Sequence, residues 1–150
     1  MSQAVLRPLS GKEVAKRIEE KFPATVVESD ETTVVVKSEA LFEIMSFLKE
    51  TPGLEFDYLT NLTAVDWLDF FEVVYHLTSM KNYHTLVVKT RCYERENPEV
   101  PSVVSLWQGA DFQEREVYDL MGIRFVGHPN LKRLFLWEGF QGHPLRKDFL

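Results

Sequence analysis

Two stretches of alternating side chains, joined by a short turn, constrain the fold of this chain more than any other feature. A period of two places successive side chains on opposite faces of a β-strand. Lys81 and Asn82 lie between the stretches and suit a turn. The pattern therefore predicts two long strands, each half-buried. The positions predicted to face the core are Phe71, Val73, Tyr75 and Leu77 in residues 71–79, and Leu86, Val88, Thr90 and Cys92 in residues 84–92.

Helices are predicted where apolar residues recur three and four positions apart. Their boundaries follow from capping residues at the start and from glycine or proline at the end. A short helix is also expected over residues 102–107. The main predicted helices are residues 11–22 after Ser10, a second helix from Ser38 to Pro52-Gly53 with Leu41, Met45 and Leu48 on its core face, and residues 112–121 between Asp111 and Gly122.

Shorter strands are predicted where β-branched residues cluster between turn residues. Residues 94–101 are expected to form a polar loop. The order of elements predicts an α+β fold in two layers, with helices packed on a mixed or antiparallel sheet, and not alternating βα units. The predicted shorter strands are residues 24–28 and 32–37, which form a hairpin, and residues 56–65, with Tyr58, Leu62 and Ala64 on one side.

The end of the chain, residues 123–150, follows a different pattern. Glycine and proline recur there too often for a helix or a long strand. An extended segment with many rings either folds back over its own domain or lies on another protein, and its aromatic and arginine side chains favour docking. The predicted organisation is a core of residues 1–122 and an extended docking segment of residues 123–150. The rings of the segment are Phe125, Phe135, Trp137, Phe140 and Phe149.

Composition excludes several classes of function. Hydrophobic residues make up 45% of the 150 residues, and the net charge is −6 with both signs mixed, which argues against nucleic-acid binding. Cys92 is the only cysteine, so this chain alone cannot build a cluster that takes four thiolates. Glycine-rich nucleotide loops and common catalytic motifs are missing from the sequence. No apolar run approaches the roughly 20 residues that span a bilayer, so no membrane insertion is expected.

The histidines and the cysteine each allow a chemical and a structural interpretation. His128 and His143 each occupy a Gly-His-Pro triplet, which could bring two imidazoles toward a metal. Rings bonded to the turn backbone are favoured, because a zinc site normally needs three or four protein ligands. Cys92 with His76 or His84 could form a thiol–imidazole pair. Its place on the core side of its strand favours a small buried side chain.

Two charged clusters are also open to two interpretations. Arg115, Glu116 and Asp119 share one side of the predicted helix over residues 112–121, either as a solvated face or as a patch that orients a partner or the C-terminal segment. A basic cluster near the end is either a solvated turn or a contact for an acidic partner surface. It consists of Lys132, Arg133, Arg146 and Lys147.

Several uncommon strings resemble one known family. Residues 114–123, Glu-Arg-Glu-Val-Tyr-Asp-Leu-Met-Gly-Ile, resemble the Glu-Arg-Glu signature of the C subunit of NADH-quinone oxidoreductase (complex I), the 30 kDa subunit family. The similarity runs from residue 62 to the end, with the strings in the family's order. The other matching strings are residues 62–66, 71–77, 100–103, 127–133 and 139–149.

The resemblance implies a structural subunit of the complex's peripheral arm, at the cytoplasmic face of a prokaryotic cell membrane. It would dock on the D subunit, which helps form the quinone site, and on other connecting-module subunits, and would support electron transfer from NADH to quinone. NADH, flavin, iron–sulfur clusters and quinone would belong to partner subunits, so no cofactor, metal or catalytic residue is expected here. The implied partner-binding residues are Glu114, Arg115, Glu116, Asp119, His128, Arg133, Trp137, Phe140, His143, Arg146, Lys147, Asp148 and Phe149.

Two alternatives remain open on sequence grounds. The chain could be the equivalent subunit of a membrane-bound hydrogenase or of a ferredoxin- or deazaflavin-linked dehydrogenase. It could also be a stand-alone enzyme that uses Cys92 or the Glu-Arg-Glu carboxylates.

Overall fold

The computed structural model describes residues 5–131 and 142–147. Within these residues, no helix has the length and the hydropathy needed to cross a membrane. The helices are α1 (Gly11–Lys21), α2 (Leu41–Glu50) and α3 (Ala110–Met121), with a short 3-10 helix at Ser38–Ala40. The strands are β1 (Arg7–Pro8), β2 (Val26–Ser29), β3 (Thr33–Val36), β4 (Tyr58–Asp66), β5 (Phe71–Ser79), β6 (His84–Cys92), β7 (Glu99–Pro101) and β8 (Arg124–Val126).

The predicted long strands form the centre of a mixed sheet. β5 and β6 pair antiparallel, from Phe71 opposite Cys92 to Ser79 opposite His84. The strand order is β2-β3-β6-β5-β4, and β1 also pairs with β6. β3 runs parallel to β6, whereas β2 with β3 and β4 with β5 are antiparallel. β7 and β8 form a separate parallel pair. The α+β prediction with a mixed sheet is confirmed.

One face of the sheet and the inner faces of the helices make the hydrophobic core. The alternation predicted for β6 is confirmed, and in β5 the positions predicted to face the core are buried. Full burial of each such aliphatic or aromatic side chain contributes about 1.5–3 kcal/mol. The core residues of the helices include Val14 and Ile18 from α1, Leu41, Met45 and Leu48 from α2, and Val117 and Met121 from α3.

The opposite face of β5 differs from the half-buried strand that the sequence predicts. Glu72 is buried there although it alternates with the core positions. Arg91 Nε lies 3.0 Å and Lys89 Nζ 3.8 Å from the Glu72 carboxylate. These long side chains of β6 shield the carboxylate from water. Of the polar residues in β5, only His76 is exposed.

The predicted helix caps are confirmed in one case and wrong in two. Ser10 caps α1, and its Oγ accepts the Glu13 N–H at 3.3 Å. Ser38 lies instead in the 3-10 helix that precedes α2. Asp111 is already in the first turn of α3, which follows Gly109. In both wrong cases the helical backbone begins at, or one residue before, the residue that pattern alone selects as the cap.

Residues 102–107 form turns and not the predicted short helix. Trp107 is buried, and its Nε1–H donates to the Phe56 carbonyl oxygen at 3.1 Å. Val103 is buried as well. These tertiary contacts outweigh the weak local helix preference of a six-residue stretch.

Two strand predictions also need correction. Tyr58 is exposed, while Leu59 and Leu62 are buried, because a bulge at Thr60 shifts the alternation by one residue. The predicted polar loop over residues 94–101 contains β7, which pairs with β8. β8 lies in the predicted docking segment, and its Phe125 is buried together with Ile123. The first residues of that segment therefore pack into the core.

Candidate docking site

A buried carboxylate at the end of β4 holds three parts of the chain together. Asp66 accepts two hydrogen bonds from the Arg95 guanidinium, at 2.8 and 3.0 Å. It also accepts the backbone N–H of Leu68 at 2.8 Å and of Lys147 at 2.9 Å. The Arg95 guanidinium, with these backbone donors, holds the pKa of Asp66 well below its usual range. Such bidentate, charge-assisted pairs are the strong class of hydrogen bond.

Residues 142–147 lie against this domain and complete the end of α3. The His143 Nδ1–H donates to the Asp119 carbonyl oxygen at 2.9 Å. The Leu145 N–H donates to the Leu120 carbonyl oxygen, also at 2.9 Å. The last carbonyl groups of a helix have no partner within the helix, and the C-terminal segment supplies donors to two of them here. For these residues the structure has the fold-back that the sequence left open.

Gly122 makes this approach possible. Its φ of +80° is left-handed and ends α3, as the sequence predicts. A Cβ at Gly122 would lie 2.7 Å from Cδ2 of the His143 ring. The glycine is therefore required both by the backbone turn and by the closeness of the imidazole.

Two guanidinium groups pack on one buried ring beside Asp66. Arg95 lies 4.5 Å and Arg146 4.9 Å from the centre of the Phe71 ring. Arg146 also donates to the Arg95 carbonyl oxygen. Each cation–π contact contributes about 0.5–2 kcal/mol, depending on desolvation. The solvated-turn interpretation is therefore wrong for Arg146, whereas Lys147 is exposed.

The first carboxylate of the Glu-Arg-Glu signature is buried. Glu114 accepts the Ser102 hydroxyl at 2.6 Å and the Val103 N–H at 2.8 Å. Loss of solvation raises the pKa of Glu114 to about 7, against the lowering effect of these two hydrogen bonds. Burial, and then the charge of Glu114, raise the pKa of the Tyr75 hydroxyl well above its ordinary value.

The solvated-face interpretation of α3 is only partly right. Asp119 is fully buried and Arg115 is half-buried, while Glu116 is exposed. Val117 and Met121 of the same helix are buried in the hydrophobic core. α3 therefore turns charged groups toward the protein as well as toward water.

The prediction of a ring bonded to the turn backbone is confirmed for His128, whereas His143 bonds a backbone carbonyl of α3. The Asn130 N–H donates to Nδ1 of His128 at 2.9 Å. Nε2 of His128 faces Asp111 Oδ1 at 2.9 Å, while His143 is held at the end of α3. Among residues 5–131 and 142–147, no three side chains of His, Cys, Asp or Glu are arranged to hold a metal ion.

The thiol–imidazole pair is ruled out by strand register. Cys92 lies opposite Phe71, whereas His84 lies opposite Ser79 at the other end of the same hairpin. His84 Nε2 is 2.7 Å from the Leu54 carbonyl oxygen and donates to it. His76 is exposed on the far face. The prediction of a small buried side chain at Cys92 is confirmed.

The structure gathers some of the predicted partner-binding residues and does not describe others. Glu116 and Lys147 present exposed side chains. Asp66 and Arg95, which bind the C-terminal segment, were missed. The one sequence feature that pointed to Asp66 was its position as the last residue of the family-like string 62–66. Predicted residues outside the described part of the chain are Arg133, Trp137, Phe140, Asp148 and Phe149.

A solved structure shares this fold. It is a chain of the membrane-bound sulfane sulfur reductase, an archaeal respiratory membrane complex, with a TM-score of 0.73 and 27% sequence identity. The match covers 92% of this chain and 84% of the other. The fold class of this chain is therefore one that an α+β subunit of a respiratory membrane complex also has.

Sequence comparison identifies the family within this class. The family described as respiratory-chain NADH dehydrogenase, 30 Kd subunit, matches residues 34–150. The NADH-quinone oxidoreductase C subunit of Roseiflexus castenholzii is 42% identical over 142 residues, covering 90% of this chain and 81% of the relative. This chain belongs to the 30 kDa subunit family of respiratory NADH dehydrogenase, and the predicted resemblance is confirmed.

Other relatives are longer than this chain. A second form of the C subunit, from Rhizobium meliloti, is 48% identical over 117 residues, and the match spans 63% of its length. The NADH-quinone oxidoreductase C/D subunit of Phocaeicola vulgatus is also 48% identical over 117 residues, which make up 22% of that protein.

Proposed function

We propose that this chain is the cofactor-free, structural C subunit of NADH-quinone oxidoreductase, which docks on the D subunit and supports electron transfer from NADH to quinone. The observation that carries the proposal is the Phocaeicola vulgatus relative, whose name joins C and D in one protein. Fusion places the two parts at a high effective concentration, which suits units that bind each other. In this proposal the assembly holds the chain at the cytoplasmic face of the membrane, and the cofactors belong to partner subunits.

The hydrogen bonds of the polar side chains in the candidate site support a docking role over a catalytic one. Asp66, Glu114 and His143 are each bonded within the chain. Among the predicted contacts that the structure describes, Glu116 and Lys147 have exposed side chains that a partner can reach. Lys147 binds Asp66 only through its backbone N–H, so its side chain can be changed without removing that bond.

Exchanging the charges of Glu116 and Lys147 should weaken capture of the D subunit at least tenfold. The variant combines Glu116→Arg with Lys147→Glu, which leaves the net charge of the chain unchanged. Reversed charges meet like charges across an interface, where such juxtaposition costs several kcal/mol. The measurement is the amount of the D subunit retained per tagged chain at about 0.15 M salt, the physiological ionic strength.

The matched control exchanges two exposed charges on α1, through Lys16→Glu with Glu20→Arg. It also keeps the net charge and should retain the D subunit in full. Equal retention by both variants would contradict docking through Glu116 and Lys147.

A second candidate is the equivalent subunit of another membrane-bound respiratory complex. The fold shared with the archaeal sulfane sulfur reductase favours it. Purification of the native assembly through this chain, followed by identification of its subunits, separates the two. A flavin-binding NADH-oxidising subunit beside the D subunit supports the first proposal. A hydrogenase-type large subunit without it supports the second.

A further inference from the structure

An exposed apolar tip lies at the end of the sheet beside Asp66. The tip consists of Trp67, Leu68 and Phe70 in the β4–β5 turn and of Tyr93 after β6. Trp67, Leu68 and Tyr93 are 53%, 56% and 65% exposed. The rings of Phe70 and Tyr93 are 5.2 Å apart, so the two chain segments meet. Single exposed apolar residues are common, but a cluster of this kind marks an interaction surface.

Leu68 has a left-handed backbone in the β4–β5 turn. Its φ of +72° is left-handed, which an ordinary L-residue adopts only at a cost in free energy. Asp66 accepts the Leu68 N–H, and the Trp67 N–H donates to the Phe70 carbonyl oxygen at 3.0 Å. Glycine or asparagine would close such a turn more easily. Leucine here combines a strained backbone with an apolar side chain in water, a combination found at functional sites.

The exposed charges around the tip are mainly acidic. Arg91 and Arg95 are each bound to carboxylates of the chain itself. Lys147 adds one exposed positive charge on the side of the C-terminal segment. The exposed carboxylates, none of which forms an ion pair with a described basic side chain, are Asp69, Glu94 and Glu96. An acidic rim suits a partner with basic residues and is repelled by an anionic lipid surface.

We infer that the apolar tip is a docking knob, which inserts Trp67 and Leu68 into an apolar pocket of a partner subunit edged by Lys or Arg side chains. The inference rests on the proposed function in one respect, that the chain works within an assembly. It does not require the partner to be the D subunit. Tryptophan is among the residues that most often dominate binding at an interface centre, and backbone hydrogen bonds of Trp67 and Leu68 hold the turn that carries it.

Leu68→Asn separates docking from folding. Asparagine tolerates the left-handed backbone, so the purified variant should melt at the same temperature as the original chain or higher. The full-length tagged variant, expressed in the source cell, should retain its partner subunit at least tenfold less well. Met80→Asn is the matched control, because Met80 is 55% exposed in the β5–β6 turn at the opposite end of the sheet. It should retain the partner in full.

A photo-crosslinker in the apolar tip identifies the molecule that the tip contacts. With Trp67→p-benzoylphenylalanine in the assembled complex, the crosslinked peptide should come from another subunit and contain apolar residues next to Lys or Arg. Crosslinks to lipid would make the tip a membrane contact, and crosslinks to a second copy of this chain would make it a self-association surface. Either result, or full partner retention by Leu68→Asn, would overturn the inference.

The two docking tests can fail independently. If the charge exchange at Glu116 and Lys147 leaves the D subunit bound while Leu68→Asn releases another subunit, the tip is supported and the proposed contact with the D subunit is not. If the charge exchange releases the D subunit while Leu68→Asn changes nothing, the proposed function stands and the tip has no docking role.

Discussion

Asp66→Asn should lower the free energy of unfolding by about 3 kcal/mol at pH 7, because it removes the buried carboxylate charge that accepts two hydrogen bonds from the Arg95 guanidinium. The amide also has one acceptor oxygen in place of the two that bind Arg95, Leu68 and Lys147. Arg95 is only partly shielded from water, with 23% of its side chain exposed, so the loss belongs at the lower end of values for buried pairs.

The loss should depend on pH in a defined direction. The pKa of Asp66 is lower in the folded chain than its ordinary value of 3.8. A carboxyl of this kind stabilises the fold fully above the ordinary value, and its contribution disappears as the pH falls from there through the folded pKa. The original chain and the asparagine variant should therefore become more alike in stability below about pH 3.8.

Urea unfolding measures the stability change, and amide hydrogen exchange locates it. The Lys147 N–H should exchange faster in the variant, because its acceptor is weakened. Asp69→Asn is the control, with the same chemical change at an exposed residue three positions along the chain. It should alter stability by less than about 0.5 kcal/mol. Equal small losses for both variants would mean that Asp66 does not hold the C-terminal segment.

Local sequence patterns predicted the helices and strands whose buried face follows from the order of their own residues. The alternation in residues 71–79 and 84–92 predicted the two central strands. Side chains that face the core recur at every second residue of a strand, so this pattern is visible in the sequence. The stripe of α1 and its Ser10 cap were equally visible. In each case the residues that determine the structure are neighbours in sequence.

The features that the sequence did not predict depend on contacts between residues that are far apart in the chain. β7 and β8 are separated by all of α3, and three residues of each are too few for a pattern. Arg95 meets Asp66 across the β5–β6 hairpin. The bulge at Thr60 moves one residue out of register, and no turn signal marks it.

The charged face of α3, within the candidate site, could not be predicted correctly from the sequence for the same reason. By period it resembles a surface helix, and Glu116 is indeed exposed. Glu114 is buried because the turn after β7 brings a hydroxyl and a backbone N–H to its carboxylate. Helical periodicity can place a side chain on a face, but only the tertiary neighbours decide whether that face meets water.

Glu114→Gln should remove most of the dependence of stability on pH between 5 and 8. The pKa of Glu114 is about 7 in the folded chain and 4.5 as its ordinary value. Between these values the folded chain keeps a proton that the unfolded chain has released, so stability falls as the pH rises. The shift corresponds to a loss of about 3 kcal/mol by pH 8. An uncharged glutamine does not incur this loss.

The amide can keep both hydrogen bonds of the site, which makes this substitution informative. Its oxygen can accept the Val103 N–H, and its NH2 group can donate to the Ser102 hydroxyl oxygen. The variant should therefore match the original chain at pH 5 and exceed it by about 3 kcal/mol at pH 8 in urea unfolding. Glu116→Gln, an exposed change on the same helix, should leave the pH profile unaltered. Parallel profiles for the original chain and Glu114→Gln would mean that the buried carboxyl is ionised across this range, and that its hydrogen bonds outweigh its loss of solvation.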